Sequence, residues 1–123
     1  PAVLGVSGLA VAAFLLANVL AAGRVDGERI CAALCVYLLA GIAFGGIFAT
    51  LDALGPGSLA GVGPIDLDDA VYFSFVTLAT LGYGDIAPAT SATRALAVLE
   101  AVFGQLYLAV LIARLVSLYA RER

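Results

Sequence analysis

The sequence contains no histidine, lysine, tryptophan or methionine, and only 12% of its 123 residues are charged. Without histidine there is no Ser-His-Asp triad and no His-ligated metal site. Without lysine, all six positive charges are arginine, and nine acids leave a net charge of −3. No basic face is available for nucleic acid. Charge this scarce, beside 63% hydrophobic residues, cannot cover a water-facing globule, in which about a quarter of residues are charged. Cysteine is rare too. Cys31 and Cys35 stand four apart in an apolar run, a spacing that suits neither a disulfide nor, without histidine, a metal site. They read as small apolar residues.

What the chain does have is long uncharged stretches. Residues 1–23 and 30–51 carry no charged side chain, and Ala95 to Tyr119 is interrupted only by Glu100, Gln105 and Arg114. A helix needs about 20 apolar residues to cross a bilayer core. Helix is the spanning form open to such a chain, because lipid leaves bare peptide groups unsatisfied. The pattern predicts three transmembrane helices, over 1–23, 30–51 and 94–120. The first is longer than a signal-peptide core and has no basic leader, so it reads as a spanning helix, with Asn18 bonding to another helix. It bears no repeated arginine, which excludes an S4-type voltage sensor. Gly41 and Gly45 form a small-xxx-small step that predicts close packing of the second helix on a neighbour.

Arginine marks the cytoplasmic side of a membrane protein. Arg24 and Arg29 lie in the loop 24–29, and Arg114, Arg121 and Arg123 lie near the C-terminus, so both regions are expected inside. Residues 52–67 have no arginine and are expected outside; Arg94 is the exception. Arg114 is expected to snorkel to the headgroups. The chain opens on Pro1 without a methionine, which leaves room for upstream or cytoplasmic regulatory segments beyond it.

The long interval between the second and third runs holds a shorter apolar run, 68–79. It is too short to span and fits a re-entrant helix. Asp66, Asp68 and Asp69 sit at its start, where acids cap free N–H groups, with Asp68 and Asp69 the expected caps. It leads into Thr80-Leu81-Gly82-Tyr83-Gly84-Asp85, whose glycines permit backbone angles other residues resist. Irregular backbone at membrane depth is tolerated only where it lines a cavity or is buried in protein. Helix, re-entrant helix, Gly-rich strand, helix is the order of a pore loop.

At this point the sequence resembles the pore-loop family of potassium channels, whose filter signature is Thr-Val-Gly-Tyr-Gly. The resemblance runs from about Ile30 to Tyr119 and is nearest to bacterial pore modules with two helices around one loop; the 1–23 helix lies outside it. It implies an all-α membrane protein of three transmembrane helices, a re-entrant pore helix and a filter strand, assembled as a four-fold homotetramer. The outer helix would be 30–51, the extracellular turret 52–67, the pore helix 68–79, the selectivity filter 80–85 and the inner pore-lining helix 94–120. Carbonyls of Thr80, Leu81, Gly82 and Tyr83, with the Thr80 hydroxyl, would replace the water shell of a potassium ion. One motif in a chain without internal repeats calls for four copies.

The resemblance also implies supporting roles. Gly84, Asp85, Tyr72, Val76, Thr77 and Glu100 would hold the filter, with Asp85 bonded to Tyr72. Gly104, which lies 22 residues after Gly82, would be a gating hinge. Gln105, Leu108, Ile112 and Val116 share a helical face and would line the inner cavity. Leu81 stands where the family has Val or Ile, Ala79 where it commonly has Thr, and Val76 where some members have Glu. Glu100 either braces the back of the pore helix in place of that Glu or lies near the outer interface beside Arg94. The acids Asp52, Asp66, Asp68, Asp69 and Asp85 would surround the outer mouth and attract cations at low salt.

The expected function is passive, potassium-selective conduction. No enzymatic activity and no cofactor are expected, potassium being the permeant ion, and the partners are membrane lipid and further copies of the chain. The expected location is a bacterial or archaeal plasma membrane. The alternatives are a weakly selective cation channel, a potassium transporter subunit and a non-conducting membrane scaffold.

Overall fold

A computed structural model describes residues 27–61 and 63–121, with side chains through Ser117, together with Ala2, Val3, Val6, Ser7, Ala10, Ala13 and Ala17. These early positions are helical; the rest of the expected 1–23 helix, Asn18 included, lies outside the described residues. Three helices and two short strands follow in the order α1 (Gly27–Leu54), β1 (Leu59–Ala60), α2 (Leu67–Leu78), β2 (Ala87–Pro88) and α3 (Ser91–Arg121). Among the described residues, α1 and α3 are long and apolar enough to cross a membrane. α2, at 12 residues, is about 18 Å long and falls short of a bilayer core of about 30 Å.

Helix ends are set by capping rather than by where charge begins. α1 starts earlier than its uncharged run, with Glu28 in a first turn that favours an acid. It also continues past that run to Leu54, ahead of Gly55-Pro56. Asp52, in the last turn, accepts the Leu59 N–H at 3.0 Å. α2 is capped by Asp66, whose carboxylate accepts the Asp69 N–H at 2.8 Å while Asp69 accepts the Asp66 N–H at 3.3 Å. The caps are therefore Asp66 and Asp69, and Asp68 is an exposed first-turn residue. α3 begins at Ser91 rather than 94, because Thr90 and Thr93 exchange backbone-to-hydroxyl bonds of 3.2 and 3.3 Å in the same reciprocal pattern.

The fold is not wholly helical. β1 and β2 pair antiparallel, Leu59 with Pro88 and Ala60 with Ala87. The Ser58 carbonyl extends the clip by accepting from Ala89 N–H at 2.9 Å and Thr93 Oγ1 at 2.8 Å.

α2 packs against both long helices. Gly41 and Gly45 open the surface of α1 to it: a Cβ on Gly41 would stand 2.6 Å from the Phe75 ring, and one on Gly45 2.7 Å from Val71 Cα. The neighbour predicted for this small-residue step is thus α2 of the same chain. Phe44, Phe48, Ala70, Phe73 and Ala97 form the main apolar cluster, with the Phe48 and Phe73 rings edge to face at 4.8 Å. A second cluster joins Val36 to Tyr107, whose hydroxyl donates to Ala33 O at 2.5 Å. Lipid supplies no hydrophobic drive between helices, so close packing and such bonds carry the association. α3 buries Thr93, Ala97, Glu100, Gly104 and Tyr107, a helical stripe with steps of three and four.

Candidate functional site

The segment Thr80–Asp85 leaves the C-terminal end of α2 without a break in hydrogen bonding. The C-cap Ala79 donates to Phe75 O, Thr80 N–H to Thr77 O at 3.0 Å and Leu81 N–H to Val76 O at 2.8 Å; Gly82 N–H also reaches Val76 O, at 3.4 Å. The last turn of the helix thereby sets the direction in which the strand departs.

Backbone angles then alternate. Thr80, Gly82 and Gly84 have φ of 57°, 61° and 81°, whereas Leu81 and Tyr83 are not in the positive region. Glycine takes such angles freely. For β-branched Thr80 they are strained, and its place against the helix end holds it there. An ordinary strand of uniform φ turns successive carbonyls to opposite sides. A backbone whose φ alternates in sign departs from that pattern and turns successive peptide groups toward a common side. Leu81 and Tyr83 are 58% and 69% exposed, so this extended segment is bare within the chain.

Both flanks of the strand are anchored. Beyond it, Tyr72 of α2 donates to Asp85 Oδ2 at 2.8 Å, the partner the sequence suggested. That bond, ahead of desolvation and the negative charge of Asp85, raises the Tyr72 phenol above its ordinary range. The β1–β2 clip holds the next residues, and Arg94 Nε donates to Pro88 O at 3.3 Å. Between α2, the strand and the start of α3 runs a shallow apolar cleft lined by Val76, Thr77, Thr80, Gly82, Gly84, Ile86, Ala97 and Ala101, among others.

Behind α2 the contacts are closed and polar. Ser74 Oγ lies 2.7 Å from Gly41 O and 2.5 Å from Glu100 Oε1. Glu100 is fully buried; it faces α2 and is not beside Arg94. Tyr37 of α1 donates to Leu78 O at 3.3 Å, satisfying a carbonyl that the end of α2 leaves free. Gly104 lies against the same carbonyl, and a Cβ there would come within 2.5 Å of it. The glycine proposed as a hinge is therefore also a site of close helix approach. Gln105, Ile112 and Val116 are exposed on α3, but Leu108 is half-buried and packs against the Val36–Tyr107 cluster on the α1 side, as its position next to Tyr107 dictates.

Ser74, Tyr37, Ser58 and Thr93 were not singled out from the sequence. A hydroxyl inside an apolar helix commonly bonds to backbone, and a buried acid needs a donor. Those two signals point to Ser74 and Glu100 as a pair. No local pattern joins Ser58 to Thr93 across 35 residues.

The sequence pattern of a protein family described as ion channel matches residues 36–121. Two-pore potassium channel 4 of Arabidopsis thaliana is 49% identical over 49 residues, covering 40% of this chain and 17% of that protein. Two pore potassium channel c of Oryza sativa subsp. japonica is 38% identical over 84 residues, covering 67% of this chain and 18% of that protein. The chain spans less than a fifth of the length of these curated relatives. They are plant proteins, so the expected bacterial or archaeal membrane finds no support in them.

Proposed function

Because the chain belongs to the pore-loop ion-channel family, we propose that it forms the pore of a potassium-selective channel, four copies surrounding one axis. The observation that carries this reading is the alternating backbone of Thr80–Gly84, held directly at the end of a helix too short to cross the membrane. Carbonyls of Thr80, Leu81, Gly82 and Tyr83, with the Thr80 hydroxyl, replace the water around a dehydrated potassium ion. Ions advance by stepping between adjacent rings of oxygens. The C-terminal end of α2 directs its negative dipole toward the cavity below and favours a cation there. Gly84, Asp85, Tyr72, Val76 and Thr77 keep the strand in register. Gln105, Ile112 and Val116 line the inner cavity, and Gly104 is where α3 bends or shifts on gating.

The bare strand supports the four-fold arrangement. One strand cannot surround an ion, and the exposed Leu81 and Tyr83 need neighbours that a single subunit lacks. A weakly selective cation channel is the second reading, favoured by Leu81 and Ala79 at positions where the resembled family has other residues. Reconstitution of the full chain in lipid, with reversal potentials measured in mixed potassium and sodium, tests both. The potential is expected to follow the potassium gradient. A potential indifferent to that gradient would overturn the reading, and one midway between the two ions would favour the second.

A further inference from the structure

One buried ionisable side chain lies behind the filter segment, away from any path for ions. Glu100 is fully buried. Ser74 Oγ has two neighbours at hydrogen-bond distance, Gly41 O at 2.7 Å and Glu100 Oε1 at 2.5 Å. A backbone carbonyl only accepts, and a serine hydroxyl carries a single proton. Both contacts are full hydrogen bonds only when a second proton lies between Ser74 and Glu100, and the carboxyl group is where it resides. The other oxygen, Oε2, is buried and has no hydrogen-bond partner among the described residues. An ionised carboxylate has two oxygens that need donors, and this site offers one at most. A carboxylic acid leaves only a carbonyl oxygen unfilled, which is far less costly than an unpaired buried charge. From α1, the titratable group within electrostatic reach of Glu100 is Tyr37, which is neutral and has its proton engaged by Leu78 O. From α2 it is met by the hydroxyl of Ser74.

We propose that Glu100, held as the neutral acid, is a positioning residue of the filter: it donates its proton to Ser74, Ser74 donates to Gly41 O, and the relay fastens α3, α2 and α1 to one another. Its link to the filter is short. Val76, two residues beyond Ser74, is the acceptor that holds Leu81 and Gly82. A shift of α2 by loss of the relay moves that acceptor. The positioning role rests on the conducting function proposed above, but the proton on Glu100 does not.

Two measurements on the full chain in lipid test it. The infrared difference spectrum between the unaltered protein and Glu100→Gln is expected to contain the carbonyl band of a protonated carboxylic acid; carboxylate bands in its place would overturn the proposal. In reversal-potential recordings, Glu100→Gln, which keeps a donor and an acceptor, is expected to hold the potassium-to-sodium permeability ratio within about twofold, whereas Glu100→Val lowers it about tenfold by removing the donor to Ser74 and with it the tie from α2 to α3. If Glu100→Val does not assemble, Ser74→Ala breaks the same link without adding bulk and is read in its place. Equal loss in the Gln variant and the link-breaking variant would overturn the positioning role. If the unaltered chain passed no potassium, the conducting reading would fall, and the infrared band would still decide the state of Glu100.

Discussion

α2 and the strand that follows it are adjacent in sequence and opposite in environment. α2 is capped by two carboxylates, packed on both long helices and bonded through Ser74 to each of them. The strand Thr80–Gly84 is exposed along its length and is held only at its ends, by the last turn of α2 on one side and by Asp85 and the clip on the other. The chain thus fixes the position of this segment without covering it. Rigidity belongs to the back of the loop, and the proposed ion contacts to the front. A strand fixed at both ends can still keep strained angles, as Thr80 does, because nothing between the anchors allows it to relax into an ordinary extended form.

That division is open to attack from either side. The largest effect is expected at the back. Gly45→Leu drives a side chain into the Val71 backbone, which cannot rotate away; a loss of about 3 kcal/mol is expected to abolish assembly, read as disappearance of the oligomer on size exclusion. Next comes Gly104→Ala, which presses a methyl on Leu78 O at a cost of about 2 kcal/mol. Thermal denaturation separates its two roles: a lowered Tm marks the packing contact, and an unchanged Tm with altered open probability would leave only the hinge. At the front, Gly82→Ala meets no neighbour within 4 Å, and its cost of about 1 kcal/mol comes from the left-handed angle alone. The subunit is expected to keep its helical circular dichroism while losing selectivity. If helicity fell as well, front and back would not be separable.

The smallest effect is expected at the junction. Tyr72→Phe removes the bond to Asp85 at an exposed position, so currents are expected to decline faster during sustained recording, by no more than a few-fold. The pH behaviour follows from the raised phenol. The neutral form that donates to Asp85 persists below the ordinary tyrosine range and through its upper edge, and is lost only as pH rises past the elevated value. Current decline in the unaltered protein is therefore expected to show no pH-dependent step from Tyr72 across neutral pH, and a step there that Tyr72→Phe abolishes would contradict the assignment.

The front was more legible in the sequence than the back. Gly82, Tyr83 and Gly84 announce themselves because irregular backbone needs glycine, and a short apolar run before them has few other uses in a membrane chain. The Tyr72–Asp85 bond could also be anticipated, since both groups are polar and flank the motif. The back depends on which faces of three helices meet, and periodicity alone leaves that open. Glu100 could be placed on either side of α3 until Ser74 appeared opposite it, and Leu108 fell with the cavity residues by helical phase although its contacts are with α1. The starts of α2 and α3 differ from the sequence reading by a residue or more because several adjacent acids compete for the cap ahead of α2, and polar Thr90, which begins α3, carries no charge or apolar signal of its own. The strands β1 and β2 are two residues each, too short for any alternation to register.

The clip between those strands has a consequence for the order of folding. Leu59 and Pro88 are 29 residues apart and Ala60 and Ala87 are 27 apart, but closure entropy grows only slowly with loop length, and the contact needs no more of α3 than its first residues. α2 and the filter strand are then enclosed in a sealed loop before the inner helix is complete. The segment 80–85 would thus have both of its ends joined early, with only its bare middle left to be organised by whatever meets it later.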